Sequence, residues 1–131
     1  MEQKIAHGLS KTLEMIVEYE HTAARYGSGL VEVYATPAMV AFMEKTALET
    51  VLAFLPEGHG TVGTAVNIKH TKATPVGMTV KCTATVKETD GRRILFDVHA
   101  TDDEGEIGHG QHERFVINNE KFMAKLMTNR K

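Results

Sequence analysis

The chain has 131 residues, of which 42% are hydrophobic and 24% charged, and this composition is typical of one globular domain covering residues 1–131. A formal net charge of −2 argues against the broad basic surface of a nucleic-acid-binding protein. No apolar run reaches the roughly 20 residues that span a bilayer, and the first eleven residues lack the apolar segment of a signal peptide. We therefore expect a cytoplasmic protein that does not enter a membrane.

The first part of the chain predicts a strand, a loop and a long helix. Apolar and polar residues alternate over residues 9–20, which is typical of a half-buried strand, and residues 21–34 are predicted to form a loop long enough to be functional. Thr36 and Pro37 then favour a helix start, with Thr36 as the N-cap and Pro37 as the first helical residue. The helix is expected to reach about Leu55, where a Pro-Glu-Gly sequence stops it.

One glutamate is out of place on this helix. Glu44 falls in the middle of a broad apolar arc when residues are placed at 100° intervals. A buried carboxylate is costly unless it is paired, hydrogen-bonded or near water. Glu44 is therefore either a functional group or a residue at the helix margin whose carboxylate reaches solvent or a backbone amide. The arc consists of Val40, Met43, Ala47, Leu48, Val51, Leu52, Phe54 and Leu55.

Four strand-like segments follow, and most of them have one apolar and one polar face. The Asp90-Gly91 pair predicts a hairpin between the second and third segments. The last segment is unusually polar, and a short helix is expected after it. The segments cover residues 62–70, 78–87, 94–100 and 107–117, and the helix covers residues 119–127.

This order of elements predicts an α+β fold. One apolar helix and one half-buried antiparallel sheet bury their apolar faces only against each other. A curved antiparallel sheet wrapped around one long helix is the hotdog architecture. Its open sheet edge and remaining apolar surface would suit a homodimer.

Two further residues join Glu44 as candidates for chemistry. His70 ends a predicted strand on the helix-facing side, where a lone histidine is more often a satisfied core residue. If both side chains point into the helix–sheet interface, Glu44 and His70 make a plausible general acid/base pair. Thr36 places a hydroxyl near the positive end of the helix dipole, although a capping role alone would account for it.

Metal and redox chemistry have little support in the sequence. His109 and His112 are three residues apart, which on a strand places them on opposite faces, and the other histidines lack ligand-like spacing. The single cysteine, Cys82, lies on the apolar face of a predicted strand and is interpreted as a core residue. There is no phosphate-binding loop, serine elbow or dinucleotide fingerprint. We expect neither a metal nor another cofactor.

Residues 35–129 resemble the hotdog thioesterases of the fluoroacetyl-CoA thioesterase type. The resemblance keeps its spacing without obvious gaps over most of the chain. It is carried by Ala35-Thr36, Met43-Glu44, Pro56-Glu57-Gly58, Gly63-Thr64-Ala65, His70-Thr71, Ala73-Thr74-Pro75, Gly91-Arg92-Arg93, Glu106-Ile107-Gly108, His112-Glu113-Arg114 and Glu120-Lys121-Phe122.

The resemblance implies hydrolysis of an acyl-CoA thioester to free acid and CoA by Thr36, Glu44 and His70. Glu44 would be the nucleophile or general base, His70 would assist proton transfer or orient water, and Thr36 would position the acyl group or the carboxylate. Gly63 would lie near the thioester carbonyl, and Arg114 would organise the site or hold a carboxylate. The partners implied are the acyl-CoA substrate and a second copy of the chain, with pairing of dimers into tetramers left open.

The chain departs from the family pattern in the loop before the helix. The fluoroacetyl enzyme covers its acyl pocket with two aromatic residues, and the aligned positions here are Gly27 and Leu30. We expect these two residues to contact substrate around a different, larger or less guarded pocket.

Two other functions remain open on the same scaffold. A non-catalytic protein that binds acyl-CoA or a small acid is the main alternative, because a fold does not prove turnover. A dehydratase or hydratase is less favoured, because the aspartate-to-histidine helix motif of that branch is not seen.

Overall fold

The computed structural model describes residues 5–130, and the order of its elements confirms the predicted strand, long helix, four strands and short helix. Two elements were not predicted: a 3-10 turn and a short helix between the first strand and the long helix. Among the described residues, no helix is long and apolar enough to cross a membrane. The elements are β1 (Ser10–Ile16), the 3-10 turn (Tyr19–His21), α1 (Ala23–Tyr26), α2 (Thr36–Leu52), β2 (His59–His70), β3 (Thr79–Asp90), β4 (Arg93–Asp102), β5 (Gly105–Asn118) and α3 (Asn119–Asn129).

The strands form one antiparallel sheet in the order β1-β3-β4-β5-β2, with α2 packed against it. This arrangement confirms the predicted α+β architecture. Side chains from α2 and from alternate positions of β3, β4 and β5 make up most of the core, which also takes in Cys82. Burial raises the pKa of the Cys82 thiol to about 11, so a core role for this residue fits better than a nucleophilic one.

The segment before α2 differs from the prediction. The first strand ends at Ile16 rather than at residue 20, because Glu18 and His21 form a capping box that starts the 3-10 turn. The predicted loop over residues 21–34 contains α1, which ends at Gly27 with a φ of +76°. A residue with a side chain would be strained in that backbone conformation.

Helix α2 starts and ends slightly earlier than predicted. Ala35 is the N-cap in extended backbone, so Thr36 is the first helical residue rather than the cap, and its side chain makes no capping hydrogen bond. The helix ends at Leu52 instead of Leu55. Leu52 and Phe54 are 44% and 41% exposed, so the apolar residues at this end of the helix are not all held in the core.

One of the non-apolar positions of β5, Gly108, has a packing explanation. Gly108 lies on the buried face of this strand, and the Met39 side chain of α2 packs over it. A Cβ atom at Gly108 would come within 2.6 Å of the Met39 sulfur and 2.9 Å of the Lys69 carbonyl oxygen. Glycine therefore allows α2 to approach the sheet closely. Because Gly108 takes the place of an apolar side chain on the buried face, the alternating apolar pattern of a strand is weaker in this part of the sequence.

One edge of the sheet is open at β2. In the described part of the chain this strand pairs with β5 alone, and residues 63–67 are exposed. Unpaired strand edges are available for pairing with another chain.

Candidate active site

Thr36 and His70 meet where the first turn of α2 reaches the end of β2. The Thr36 Oγ1 and His70 Nδ1 atoms are 2.8 Å apart and share a hydrogen bond. The Tyr34 ring stands edge-on to the imidazole, with ring centroids 6.2 Å apart and planes at 82°. The His70 Nε2 atom is buried and has no hydrogen-bond partner among residues 5–130. The predicted capping role of Thr36 is wrong, and its hydroxyl is committed to His70 instead.

His70 is a neutral group in the folded protein. Burial lowers the pKa of His70 below its ordinary 6.5, and a backbone group of Lys72 opposes part of this shift. The imidazole is therefore neutral at pH 7. A neutral ring presents one N–H donor and one acceptor, so it can hold the Thr36 hydroxyl and still exchange a proton with a substrate or water.

A cavity of about 380 Å³ lies beside this pair. Its volume is within the range of small-molecule pockets. Neither Gly27 nor Leu30 lines it in the single chain, and Leu30 is 98% exposed, so the expected substrate contacts at these two residues stay predictions. The cavity is lined by Ala23, Ser28, Val33, Tyr34, Ala35, Thr36, Pro37, His70, Thr71, Lys72 and Ala73.

Glu44 lies at the margin of the buried face of α2, so its predicted position in the middle of that face is wrong. Its side chain is 42% exposed. The buried face is rotated because Thr46 and Thr50 point inward, where each hydroxyl donates a 2.7 Å hydrogen bond to the backbone carbonyl four residues earlier. The predicted arc left out both threonines, but this local hydrogen bond lets them enter a core.

Arg114 is the charged neighbour of Glu44. Its Nη1 atom lies 4.0 Å from Oε1 of Glu44, and its own side chain is only 7% exposed. The guanidinium donates from Nε to Thr61 Oγ1 at 2.6 Å and from Nη2 to the Thr61 carbonyl at 2.9 Å. A third hydrogen bond, 3.0 Å long, joins Nη1 to Nε2 of His112. Arg114 is thus held in a fixed direction beside Glu44.

Gly63 lies beside Arg114 and His112 and belongs with Glu44 to a second cluster of candidate residues, separate from Thr36 and His70. It pairs with Arg114 across the β2–β5 ladder, next to a bulge between Gly63 and Ala65. A Cβ atom at Gly63 would lie 3.2 Å from Cε1 of His112 and 3.3 Å from Nη1 of Arg114. These contacts are tighter than nine in ten real Cβ contacts, so a side chain at position 63 would require its neighbours to move by a few tenths of an ångström.

The candidate residues therefore form two clusters within one chain. Thr36 and Glu44 are eight residues apart on α2, which is about 12 Å along the helix axis. Gly63 and His70 are seven residues apart on β2, which is about 23 Å along the strand. The predicted pairing of Glu44 with His70 is wrong for a single chain: His70 bonds Thr36, and Glu44 faces Arg114.

Sequence reasoning missed Tyr34, Thr61 and His112 as members of these clusters. A signal for His112 was present in the pattern of β5, because His112 and Arg114 occupy alternate positions that are buried in the structure. Two polar residues on the buried face of a strand are the same kind of anomaly that marked Glu44 on the helix. The prediction that His109 and His112 lie on opposite faces is confirmed, since His109 is exposed and His112 buried. Among the described residues, no three His, Cys, Asp or Glu side chains are grouped to hold a metal ion.

Comparison with known proteins identifies the family to which the chain belongs. A profile of the fluoroacetyl-CoA-specific thioesterase family matches residues 17–120. The fluoroacetyl-CoA thioesterase of Streptantibioticus cattleyicolor is 46% identical over 95 residues, which cover 72% of this chain and 68% of that protein.

Solved structures agree. The fluoroacetyl-CoA thioesterase FlK matches with a TM-score of 0.91 at 36% identity, over 98% of this chain and 99% of FlK. A variant of FlK in complex with acetyl-CoA matches with a TM-score of 0.90 at 36% identity, over 97% and 100% of the two chains. A hot-dog-like protein from Thermanaerovibrio acidaminovorans supports the fold, with a TM-score of 0.87 at 24% identity over 95% and 93%. The chain thus has the hotdog fold and belongs to the fluoroacetyl-CoA-specific thioesterase family, which makes it a thioester hydrolase.

Proposed function

We propose that the chain hydrolyses an acyl-CoA thioester to free acid and CoA, using Thr36, Glu44 and His70. The observation that carries this proposal is the 2.8 Å hydrogen bond between Thr36 and a neutral, half-buried His70 at the wall of a cavity. Family membership and the likeness to an FlK variant that binds acetyl-CoA support the substrate class.

In the proposed reaction, Glu44 acts as general base on a water molecule. The carboxylate takes a proton from the water as its oxygen attacks the thioester carbonyl carbon. The Thr36 hydroxyl, oriented by His70, and backbone N–H groups near Gly63 hold the developing oxyanion. The tetrahedral intermediate then collapses, the carbon–sulfur bond breaks, and the proton that Glu44 held passes through neutral His70 to the CoA thiolate. Neither a metal nor a redox cofactor is needed.

The two clusters require a second copy of the chain to form one site. We propose a homodimer in which the open β2 edges pair antiparallel. A twofold axis normal to the sheet near the middle of the exposed segment would bring the Gly63 end of one β2 strand toward the His70 end of the other, because paired antiparallel strands run in opposite directions. Glu44, Arg114 and Gly63 of one copy would then face Thr36 and His70 of the second. Residues 63–67, exposed in the single chain, are the segment that this pairing covers.

The first test is release of free CoA across short, branched, aromatic and fluorinated acyl-CoAs. Glu44→Gln and His70→Ala should each lower kcat by about 100- to 10,000-fold, which is the usual contribution of a general acid or base. If no acyl-CoA is hydrolysed and ligands stabilise the protein equally well in the wild type and Glu44→Ala, the non-catalytic binding alternative holds instead.

Mixing two inactive variants tests whether one site draws on two chains. Glu44→Gln and His70→Ala homodimers are dissociated, combined in equal amounts and reassociated. If each site takes Glu44 from one chain and His70 from the other, half of the dimers carry one intact site, and activity returns to about a quarter of the wild-type value. If both residues come from the same chain, every site in the mixture carries a substitution and activity does not return.

The acyl preference is the part of the proposal that departs from FlK. With Gly27 and Leu30 at the positions aligned with two aromatic residues, we propose an acyl pocket that accepts groups larger than fluoroacetyl. A panel ranked by kcat/KM tests this: a preference for fluoroacetyl-CoA over all larger acyl groups would contradict it.

A further inference from the structure

We propose that His112 is a positioning residue of this site, which holds Arg114 and the β2 bulge in the arrangement that Glu44 needs. The inference rests on the proposed role of Glu44 as general base. His112 does not touch the Thr36–His70 pair, and its proposed effect is transmitted through Arg114.

The hydrogen bonds of His112 define which nitrogen carries the proton. Its Nδ1 atom lies 2.8 Å from the backbone carbonyl oxygen of Ala65, and a carbonyl only accepts, so Nδ1 is the donor. The other nitrogen, Nε2, is then left as an acceptor for the N–H of Arg114 at 3.0 Å. A single neutral ring thus bridges the bulge of β2 and the guanidinium.

The ring is buried and packed against its neighbours. His112 is 2% exposed and stacks on Phe96, with ring centroids 6.4 Å apart and planes at 27°. The position where a Cβ of Gly63 would lie is 3.2 Å from its Cε1 atom. A confined ring keeps its acceptor aimed in one direction, which is how a neighbouring side chain fixes the orientation of a functional group.

The acceptor on His112 decides where the free hydrogens of Arg114 point. Of the five N–H donors of a guanidinium, three are used by Thr61 and His112. One of the two remaining hydrogens is on Nη1, the atom that lies 4.0 Å from Glu44. Without an acceptor at Nε2 of His112, Nη1 loses the contact that sets its direction toward the carboxylate.

Protonation of His112 would have the same consequence as removing it. Both nitrogens of an imidazolium are donors, so Nε2 would face an Arg114 N–H without an acceptor between them. The charged groups around the ring are Arg114 and Glu113 on β5 and Glu44 on α2; Arg114 opposes protonation and the two carboxylates favour it. Burial is the largest effect and lowers the pKa of His112 below 6.5, which keeps the ring neutral at physiological pH.

Two variants of His112 distinguish the acceptor role of its Nε2 atom from the donor role of its Nδ1 atom. The side-chain amide of His112→Gln can place an acceptor near the position of Nε2, whereas that of His112→Asn reaches only the position of Nδ1. We expect His112→Asn to lower kcat by about 10- to 100-fold with KM changed less than about twofold, since misplacing a catalytic group by about 1 Å costs up to about 100-fold. His112→Gln should restore kcat to within about fivefold of the wild type. His99→Gln, on the exposed face of β4, is the matched histidine control.

An NMR measurement on the protein without substrate tests the contact between His112 and Arg114 independently of catalytic activity. Long-range proton–nitrogen NMR of nitrogen-15-labelled wild-type protein should show His112 as the neutral Nδ1–H tautomer near pH 7. The Nε2–H tautomer or an imidazolium would overturn the inference, as would equal kcat values for His112→Asn and His112→Gln. If the wild type hydrolyses no acyl-CoA, the proposed function fails, and the observed tautomer still decides whether His112 accepts from Arg114.

Discussion

The hydroxyl of Thr36 lies 2.8 Å from Nδ1 of His70 and joins the first residue of α2 to the last residue of β2. The same hydroxyl makes no capping hydrogen bond, because Ala35 is the N-cap. A threonine at a helix start usually stabilises the helix, whereas here the hydroxyl is turned toward a cavity and a neutral imidazole. The hydroxyl does not cap the helix, so its proposed role in catalysis can be tested separately from helix stability.

Replacing Thr36 should affect the rate and spare the fold. Thr36→Val keeps the shape of the side chain but removes the hydroxyl, and we expect kcat/KM to fall by about 10- to 100-fold, in line with loss of one positioned hydrogen bond in a transition state. Thr36→Ser keeps the hydroxyl and should stay within about fivefold of the wild type. Thermal unfolding should be nearly the same for all three proteins. A large fall in melting temperature for Thr36→Val, with the rate unchanged, would mean that the hydroxyl serves the helix.

Gly63→Ala tests the tight approach of β2 to the Arg114 cluster. The added methyl group would meet the ring of His112 at 3.2 Å and the guanidinium of Arg114 at 3.3 Å, so one of these side chains must move. We expect kcat/KM to fall by about tenfold or more, because a small displacement of a positioned group is costly to the rate. Circular dichroism checks that the sheet is intact. Full activity would show that the side chain of His112 or Arg114 can move without disturbing Glu44.

Arg114→Lys keeps the positive charge and removes the planar guanidinium group with its several N–H donors. An ammonium group cannot serve both acceptors of Thr61 and the Nε2 of His112 in the same geometry. Buried acceptors left without a donor should lower the free energy of unfolding by about 1–3 kcal/mol, and kcat/KM should fall by about 10- to 100-fold. Denaturant unfolding and CoA release measure the two effects. Arg130→Lys, at the exposed end of α3, is the control and should change neither.

The pH dependence follows from the lowered pKa of His70. In the proposed mechanism the neutral imidazole is the competent form, so kcat/KM should rise with pH through a pKa below 6.5 and level off near neutrality. Below about pH 6.5 the histidines of the unfolded chain bind protons, whereas His70 and His112 of the folded protein stay neutral because their pKa values are lowered. The free energy of unfolding should therefore fall as the pH drops through that range. Rate and unfolding profiles over the same range check both. A rate that is highest in acid would contradict the assignment of His70 as a neutral group.

Periodicity predicted the elements well where one physical rule dominated. The alternation of β3, the hairpin turn at Gly91 and the long helix were all recovered, because burial of one face determines each pattern. The first strand and the buried face of α2 were predicted less well. In both places a local hydrogen bond overrides polarity: Glu18 and His21 start a turn, and Thr46 satisfies its hydroxyl on the backbone.

The sequence by itself determined the family, the architecture and the candidates Thr36, Glu44, Gly63, His70 and Arg114, since motif spacing and apolar periodicity are properties of the chain alone. The structure added His112 to them. Only the tertiary structure decided which of these residues meet. Thr36 bonds His70, Glu44 faces Arg114, and His112 supports that arginine, because the crossing of α2 over the sheet and the register of β2 against β5 bring together residues far apart in the chain. Distances between such residues depend on packing and register, and neither is encoded in the spacing of a single segment.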